Sequence, residues 1–434
     1  MNNKRQRRLA VSAGGLGLAV LLGLQATAVI AEEATVALGD GLKSPFTFSV
    51  SQAFHRDNNL YRLPSSTPSS SVPKGKRGDT FSVTRASVDF DSQQSRQVFH
   101  AGLSVGHTAY KTHSRLNTTT PEARLRWDWR IGDRWSGVLG HNYTESPVSF
   151  DDNYTGQNAA DRERITRRLH RTNASADFWW HPNWATGIGL SNVSSDYRNS
   201  EVYNRDKYNA QTASLNVTYR PATGNRIVFG VSNEKGQYPN RKKKGELLPW
   251  EESLRDWEQR DARVSAYWRL TGVTHLSGYI GYTKRKYDLA RNRDFSGGVG
   301  KVTFHWMPTG KAIVDLSWRR EIGADMDSVS NYAVSQGWSL QPTWIVTSKV
   351  RIGASYEYLS RDYGGDPGSV SWIGDRPKDA KTQTYGLNVR YLPIPSAHVA
   401  LGYQSARRDA KADAFKEYYS YRARSIWLSG GMTF

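Results

Sequence analysis

No cysteine occurs anywhere in the 434 residues. That absence excludes a disulfide framework, cysteine-ligated zinc, iron–sulfur clusters, thiol catalysis and the acylated N-terminal cysteine of a lipoprotein. Aliphatic bulk is also scarce: 38% of residues are hydrophobic and the mean hydropathy is −0.66, an odd balance for a soluble enzyme of this length. Beyond the first 31 residues no run is long and apolar enough for a transmembrane helix, so a membrane-bound form must span as a closed sheet. Catalytic patterns are missing too. The 10 histidines are scattered and form no H-E-x-x-H, which leaves no zinc spacing. The run Gly297-Gly298-Val299-Gly300-Lys301 looks like a phosphate loop, but Val302 stands where that loop needs Ser or Thr, and it reads as a strand. The pairs Asp151-Asp152 and Glu251-Glu252 fall in long polar stretches and read as solvated acids. No catalytic residue, metal or cofactor is expected, and no enzymatic activity.

What is present is aromatic and basic. Trp and Tyr number 15 and 23, and the formal charge is +19. Lys4, Arg5, Arg7 and Arg8 precede a small apolar run from Leu9 to Leu24, and Val29-Ile30-Ala31 stands before Glu32; residues 1–31 are therefore expected to be a signal peptide, a retained anchor being the competing reading. Residues 32–44 then form a short periplasmic segment and 45–434 the folded body. From Phe46 onward apolar residues alternate with polar ones. In Ala123-Arg124-Leu125-Arg126-Trp127-Asp128-Trp129-Arg130-Ile131 every odd position is apolar and every even one charged, which only a period of two sorts onto two faces.

Such segments predict about eighteen strands, sixteen being the alternative count. Short connections fall at Gly132-Asp133, His181-Pro182-Asn183, 221–225, 307–311, 346–349 and 393–397, and long polar ones at 58–79, 146–165, 194–209, 234–256, 321–331, 361–381 and 408–417. Alternating short turns and long loops describe an all-β, antiparallel up-and-down transmembrane barrel in the outer membrane of a Gram-negative bacterium. An even strand count puts both barrel ends on the periplasmic side. A soluble sandwich or propeller competes, but a propeller should repeat at blade length and no repeat is visible. Trp129, Trp135, Trp179, Trp180, Trp184, Trp306, Trp344 and Tyr391 flank the short turns and are expected to form one interfacial girdle. The chain stops on Phe434, with Met432, Leu428 and Ile426 on the same face; this resembles the closing strand of outer-membrane proteins, whose terminal aromatic the barrel-assembly machinery reads.

Three segments carry a further resemblance: Asp57-Asn58-Asn59-Leu60-Tyr61-Arg62-Leu63-Pro64, Arg293-Asp294-Phe295-Ser296-Gly297 and Trp306-Met307-Pro308-Thr309-Gly310-Lys311. In order and spacing they resemble the EpsL-like outer-membrane proteins of exosortase (PEP-CTERM)-associated exopolysaccharide clusters, a branch of the putative β-barrel porin families. The resemblance implies export or surface handling of an exopolysaccharide fed by periplasmic export proteins. The residues themselves have plainer readings. Pro308-Thr309-Gly310 suits a turn, and Asp57, Asn58 and Asn59 suit a strand stop through side-chain to backbone hydrogen bonds. Tyr61 and Arg62 are the members left as candidate sugar or phosphate contacts.

Strand parity puts Arg85, Arg124, Arg126, Arg130, Arg220, Arg263, Arg269, Lys301, Arg319, Arg351 and Arg390 on the lumen face, against Asp89, Asp128, Asp177, Asp315 and Glu357. Bases lining a pore attract anions, unless they pair across strands and fill the barrel. The basic loop runs 241–244, 74–77 and 162–171 point to lipopolysaccharide and outer-membrane lipid phosphates as partners, and nucleic acid is not expected. The leading expectation is a non-enzymatic conduit in exopolysaccharide export. An anion-preferring diffusion porin is the alternative, and a plugged barrel serving surface binding or adhesion is the third reading.

Overall fold

The computed structural model describes residues 44–148, 150, 165–198, 207–221, 224–240, 255–288, 291, 294–324, 332–364, 379–411 and 420–434. The expected signal peptide, most of the 32–44 segment, the basic runs 241–244 and 162–164, Arg293 and both acid pairs lie outside these residues.

Eighteen strands follow one another: β1 (Phe46–Asp57), β2 (Asp79–Gln94), β3 (Gln97–Tyr110), β4 (Thr118–Ile131), β5 (Trp135–Pro147), β6 (Thr166–His181), β7 (Trp184–Arg198), β8 (Tyr208–Tyr219) and β9 (Arg226–Gln237). The second half runs β10 (Asp256–Thr271), β11 (Thr274–Tyr287), β12 (Phe295–Thr309), β13 (Ala312–Ala324), β14 (Tyr332–Ile345), β15 (Val350–Gly364), β16 (Asp379–Ile394), β17 (Ala397–Lys411) and β18 (Tyr421–Thr433). Each strand pairs antiparallel with its sequence neighbours, and β1 pairs with β18, so the sheet closes on itself. Phe48 and Phe434 seal that joint at one end by exchanging backbone hydrogen bonds of 3.1 and 2.8 Å. Closure is what leaves no strand edge unsatisfied in lipid.

The two faces differ as the alternation requires. Outward positions are aliphatic or aromatic and strongly exposed: Phe54 55%, Leu103 57%, Ile188 60%, Leu190 63%, Ile280 58% and Leu401 51%. A continuous apolar exterior of this extent is untenable in water and is the lipid-facing band of an outer-membrane barrel. Short turns gather at the end that carries Phe46 and Phe434. Gly132 (φ +56°) and Ser95 (φ +57°) supply the left-handed residues there, the conformation that tight hairpins need. Trp135, Trp180, Trp306, Trp344 and Tyr391 stand exposed on the outer face beside those turns, and Trp180 stacks on Trp184 at 6.1 Å. Trp179 departs from the expected girdle. Adjacent residues of a strand face opposite ways, so Trp179 points inward, where its indole donates to Ser136 at 3.0 Å.

Candidate functional site

The registers settle the lumen face strand by strand. Cα partners in an antiparallel ladder share a face, so the chain of pairs Arg85↔Gly106, Gly102↔Arg124 and Arg124↔Asn142 carries one face around the wall. Gly230↔Arg263, Tyr279↔Lys301, Lys301↔Arg319 and Arg351↔Arg390 continue it. Followed right round, that face takes in Arg85, Arg124, Arg126, Arg130, Arg263, Arg269, Lys301, Arg319, Arg351 and Arg390, opposite the apolar exterior. Arg220, just past β8, lies over the inward Trp179 ring at 4.1 Å.

Beside the expected Asp89, Asp128 and Glu357, three acids that alternation did not single out, Glu122, Glu234 and Asp261, share this face, and together they change its electrostatics. Glu122 takes Arg85 at 3.2 Å, Asp89 lies 3.8 Å from Arg124, and Asp128 holds Arg126 through contacts of 2.7 and 2.5 Å. Asp261 pairs with Arg263 at 3.0 Å, Glu234 lies 3.9 Å from Arg285, and Glu357 takes Arg319 at 2.7 Å. Glu122 and Asp261 each stand two residues before a lumen arginine, a same-face spacing that marks them in hindsight. Arg130, Arg269 and Lys301 have no ion-pair partner among the described residues. On two rungs cation faces cation: Lys301 opposite Arg319, and Arg351 opposite Arg390.

The Asp57–Pro64 motif is a structural knot. Asp57 accepts from the Asn59 backbone at 2.8 Å and from Arg62 Nη1 at 2.8 Å. The Asn59 side chain donates to Leu63 O at 2.7 Å and to Arg422 O at 2.9 Å, and accepts from Leu63 N at 2.9 Å. Arg62 sits at φ +55°, a costly conformation for a bulky residue, which these bonds hold. Leu60, Tyr61, Leu63, Val72 and Leu116 pack on Phe81 and Tyr110, both inward by register, so the loop folds against the lumen wall at the extracellular end. Tyr61 is fully buried, against His113 and Phe150. The buried Tyr61 ring offers no surface to a sugar, against the reading of it as a contact, and Nη1 of Arg62 is engaged by Asp57 and by Asn59 O. Trp306 to Lys311 turns at the opposite end of the barrel, so the motifs do not converge on one site. Among the described residues no cluster of three His, Asp or Glu is placed to hold a metal.

No family model matches the chain, and no curated protein matches it. Solved outer-membrane barrels align over nearly its whole length at low identity. The outer-membrane protein OpdK of Pseudomonas aeruginosa aligns at 11% identity over 90% of this chain and 99% of its own, with a TM-score of 0.45. OccK2 of the same organism, solved with glucuronate, aligns at 12% over 89% and 98%, with a TM-score of 0.47. A BenF-like porin of Pseudomonas fluorescens aligns at 10% over 91% and 100%, with a TM-score of 0.48. This chain is similar to them at that level, which says nothing about solute.

Proposed function

We propose that the protein is a non-enzymatic diffusion channel of the outer membrane that prefers small anions. One observation carries the reading: the cation-on-cation rungs Lys301/Arg319 and Arg351/Arg390 point into the lumen. Like charges directly opposite on neighbouring strands cost stability, about 0.2–1 kcal/mol a pair, and a low-dielectric wall concentrates their field on whatever passes. A barrel of about eighteen strands is wide enough to keep water in its lumen, where anions offset that repulsion. Exopolysaccharide export, expected from the motif resemblance, lacks comparable support, because Tyr61 and Arg62 serve the knot.

The test is a planar bilayer holding the purified barrel between unequal KCl solutions. The expected reversal potential has the sign of chloride preference. Cation preference, or no conductance from a barrel shown to be folded by heat-modifiable migration, overturns the proposal.

A further inference from the structure

Two ladders stop short of the extracellular ends of both their strands. At β4–β5 the last pair is Glu122↔Thr144, next to Pro121, which has no N–H to give. At β12–β13 no proline intervenes, yet the ladder ends at Gly300↔Arg320 while β12 runs back to Phe295 and β13 on to Ala324. Both strands stay paired on their other sides, Arg285↔Phe295 and Ala324↔Tyr332.

What fills the break is unlike the rest of the wall. Phe295 and Gly297 belong to the inner face of β12, through Arg285↔Phe295 and Thr283↔Gly297. Ile322 and Tyr332 belong to the outer face, the face on which Trp318 and Trp338 are exposed. In an intact sheet these faces never meet. Here they do: Ile322 and Tyr332 pack into one cluster with Phe295, Trp257 and Tyr287, the Phe295 and Tyr332 rings are 5.6 Å apart, and a Cβ on Gly297 would lie 2.4 Å from Ile322 Cδ1. The end of β13 is lapped behind the end of β12, on the lumen side. A side chain stitches the lap where backbone would, Arg320 Nε donating to Gly298 O at 3.1 Å.

We infer that this lap is a lateral portal, through which a single acyl chain bearing an anionic head passes between the outer leaflet and the lumen. The apolar track runs from Ile322 and Tyr332 on the outer face to Phe295 and Trp257 inside, and Arg320, on the outer face between Trp318 and Ile322, stands at its mouth. No backbone rung holds the strand ends together there, so they can part without breaking the ladder, and a separation of about one further strand spacing, ~4.8 Å, would suit one hydrocarbon chain and not a bundle of them. The rung directly below the break is Lys301/Arg319, lumen-facing cations where a carboxylate head comes to rest while its tail lies among the aromatics. This route shares the Lys301/Arg319 rung with the proposed anion path but enters from the lipid, so it does not require conduction along the axis.

The test uses the full-length barrel in phospholipid vesicles with a diazirine-bearing palmitate and its methyl ester as photoprobes, adducts being mapped by mass spectrometry. The expected adducts fall on Phe295, Trp257 and Tyr287, with the ester labelling about tenfold less, a loss equivalent to about 1.4 kcal/mol. The native chain has no cysteine, so G297C/I322C places the sole thiol pair across the lap. Its oxidation is expected to abolish the inner adducts, reduction to restore them, and chloride conductance in the same preparation to stay unchanged. I322A, which removes the wedge, is expected to raise inner labelling. Adducts confined to outward residues such as Trp318 and Trp338 overturn the portal. So do inner adducts that survive oxidation, equal labelling by the ester, or conductance lost with the lock. If the cysteine pair does not fold, unchanged inner labelling in I322A overturns it alone.

Discussion

The two sides of the lumen wall use the same residue types to opposite effect. On β2–β4 the cations are neutralised close to home, Arg85 by Glu122, Arg124 by Asp89 and Arg126 by Asp128, with Arg130 left over beside the short turn. On β12–β16 the rungs set Lys301 against Arg319 and Arg351 against Arg390, and Glu357 reaches one of the four, Arg319, from two strands away while Lys301 has no ion-pair partner among the described residues. A side chain facing water in a pore is thus not by itself a source of field. Where an acid stands two residues away on the same strand, or on a neighbouring one, the arginine serves the wall; a rung on which cation stands opposite cation is where the proposed channel would act on a solute.

The largest effect is expected from removing the second pattern. K301S/R351S/R390S should bring the reversal potential in a KCl gradient close to that of an unselective pore, while the folded barrel gains about 0.2–1 kcal/mol for each relieved rung in urea unfolding. An unchanged potential would mean that both sides of the wall are structural. Next in size is D128N, which should strengthen anion preference by freeing Arg126 of its bidentate partner. A decrease would show that Asp128 organises the pore and does not mask it. R124S/R126S should lower anion preference by less than the triple substitution does, since both arginines are already paired; an equal loss erases the distinction between the two sides. The smallest effect is expected at high salt. From 0.1 M to 1 M the screening length falls from about 10 Å to about 3 Å, and the triple variant and the unmodified channel should converge in selectivity.

Parity explains why so much of this wall is legible in the sequence. A half-buried strand must alternate, so Leu125, Trp127 and Trp129 declare one face and Arg124, Arg126 and Asp128 the other, and the strand centres follow from such runs. Pairs within a strand, such as Arg126 with Asp128, are legible in this way, but pairing across strands is carried by no single segment. Glu122 lies in Thr118-Thr119-Thr120-Pro121-Glu122, where no apolar alternation announces a strand, and its bond to Arg85 spans β2 to β4. Glu357 is visible as a lumen acid, but its partner Arg319 is two strands away. Tyr61 reads as a loop tyrosine because its burial depends on Phe81, Tyr110 and Leu116, all supplied by later segments. The break in the ladder beyond Gly300 and Arg320 belongs to β12 and β13 together, and the alternation of either strand alone does not express it.

The Asn59 knot has a mechanical consequence. The joint between the first and last strands is fastened at both ends: Phe48 and Phe434 clasp it on one side, and on the other Asn58 and Asn59 bind the backbone of Arg424 and Arg422. A zipper gives way where its last teeth are missing, and this joint has teeth at each end. Under load, as when a single barrel is drawn from a bilayer by a probe tip, rupture should therefore begin at the end of β12–β13 where backbone rungs are absent and the Arg320 bond and apolar packing stand in for them. The barrel would then tear open mid-chain, leaving the strands nearest its two ends still joined to one another.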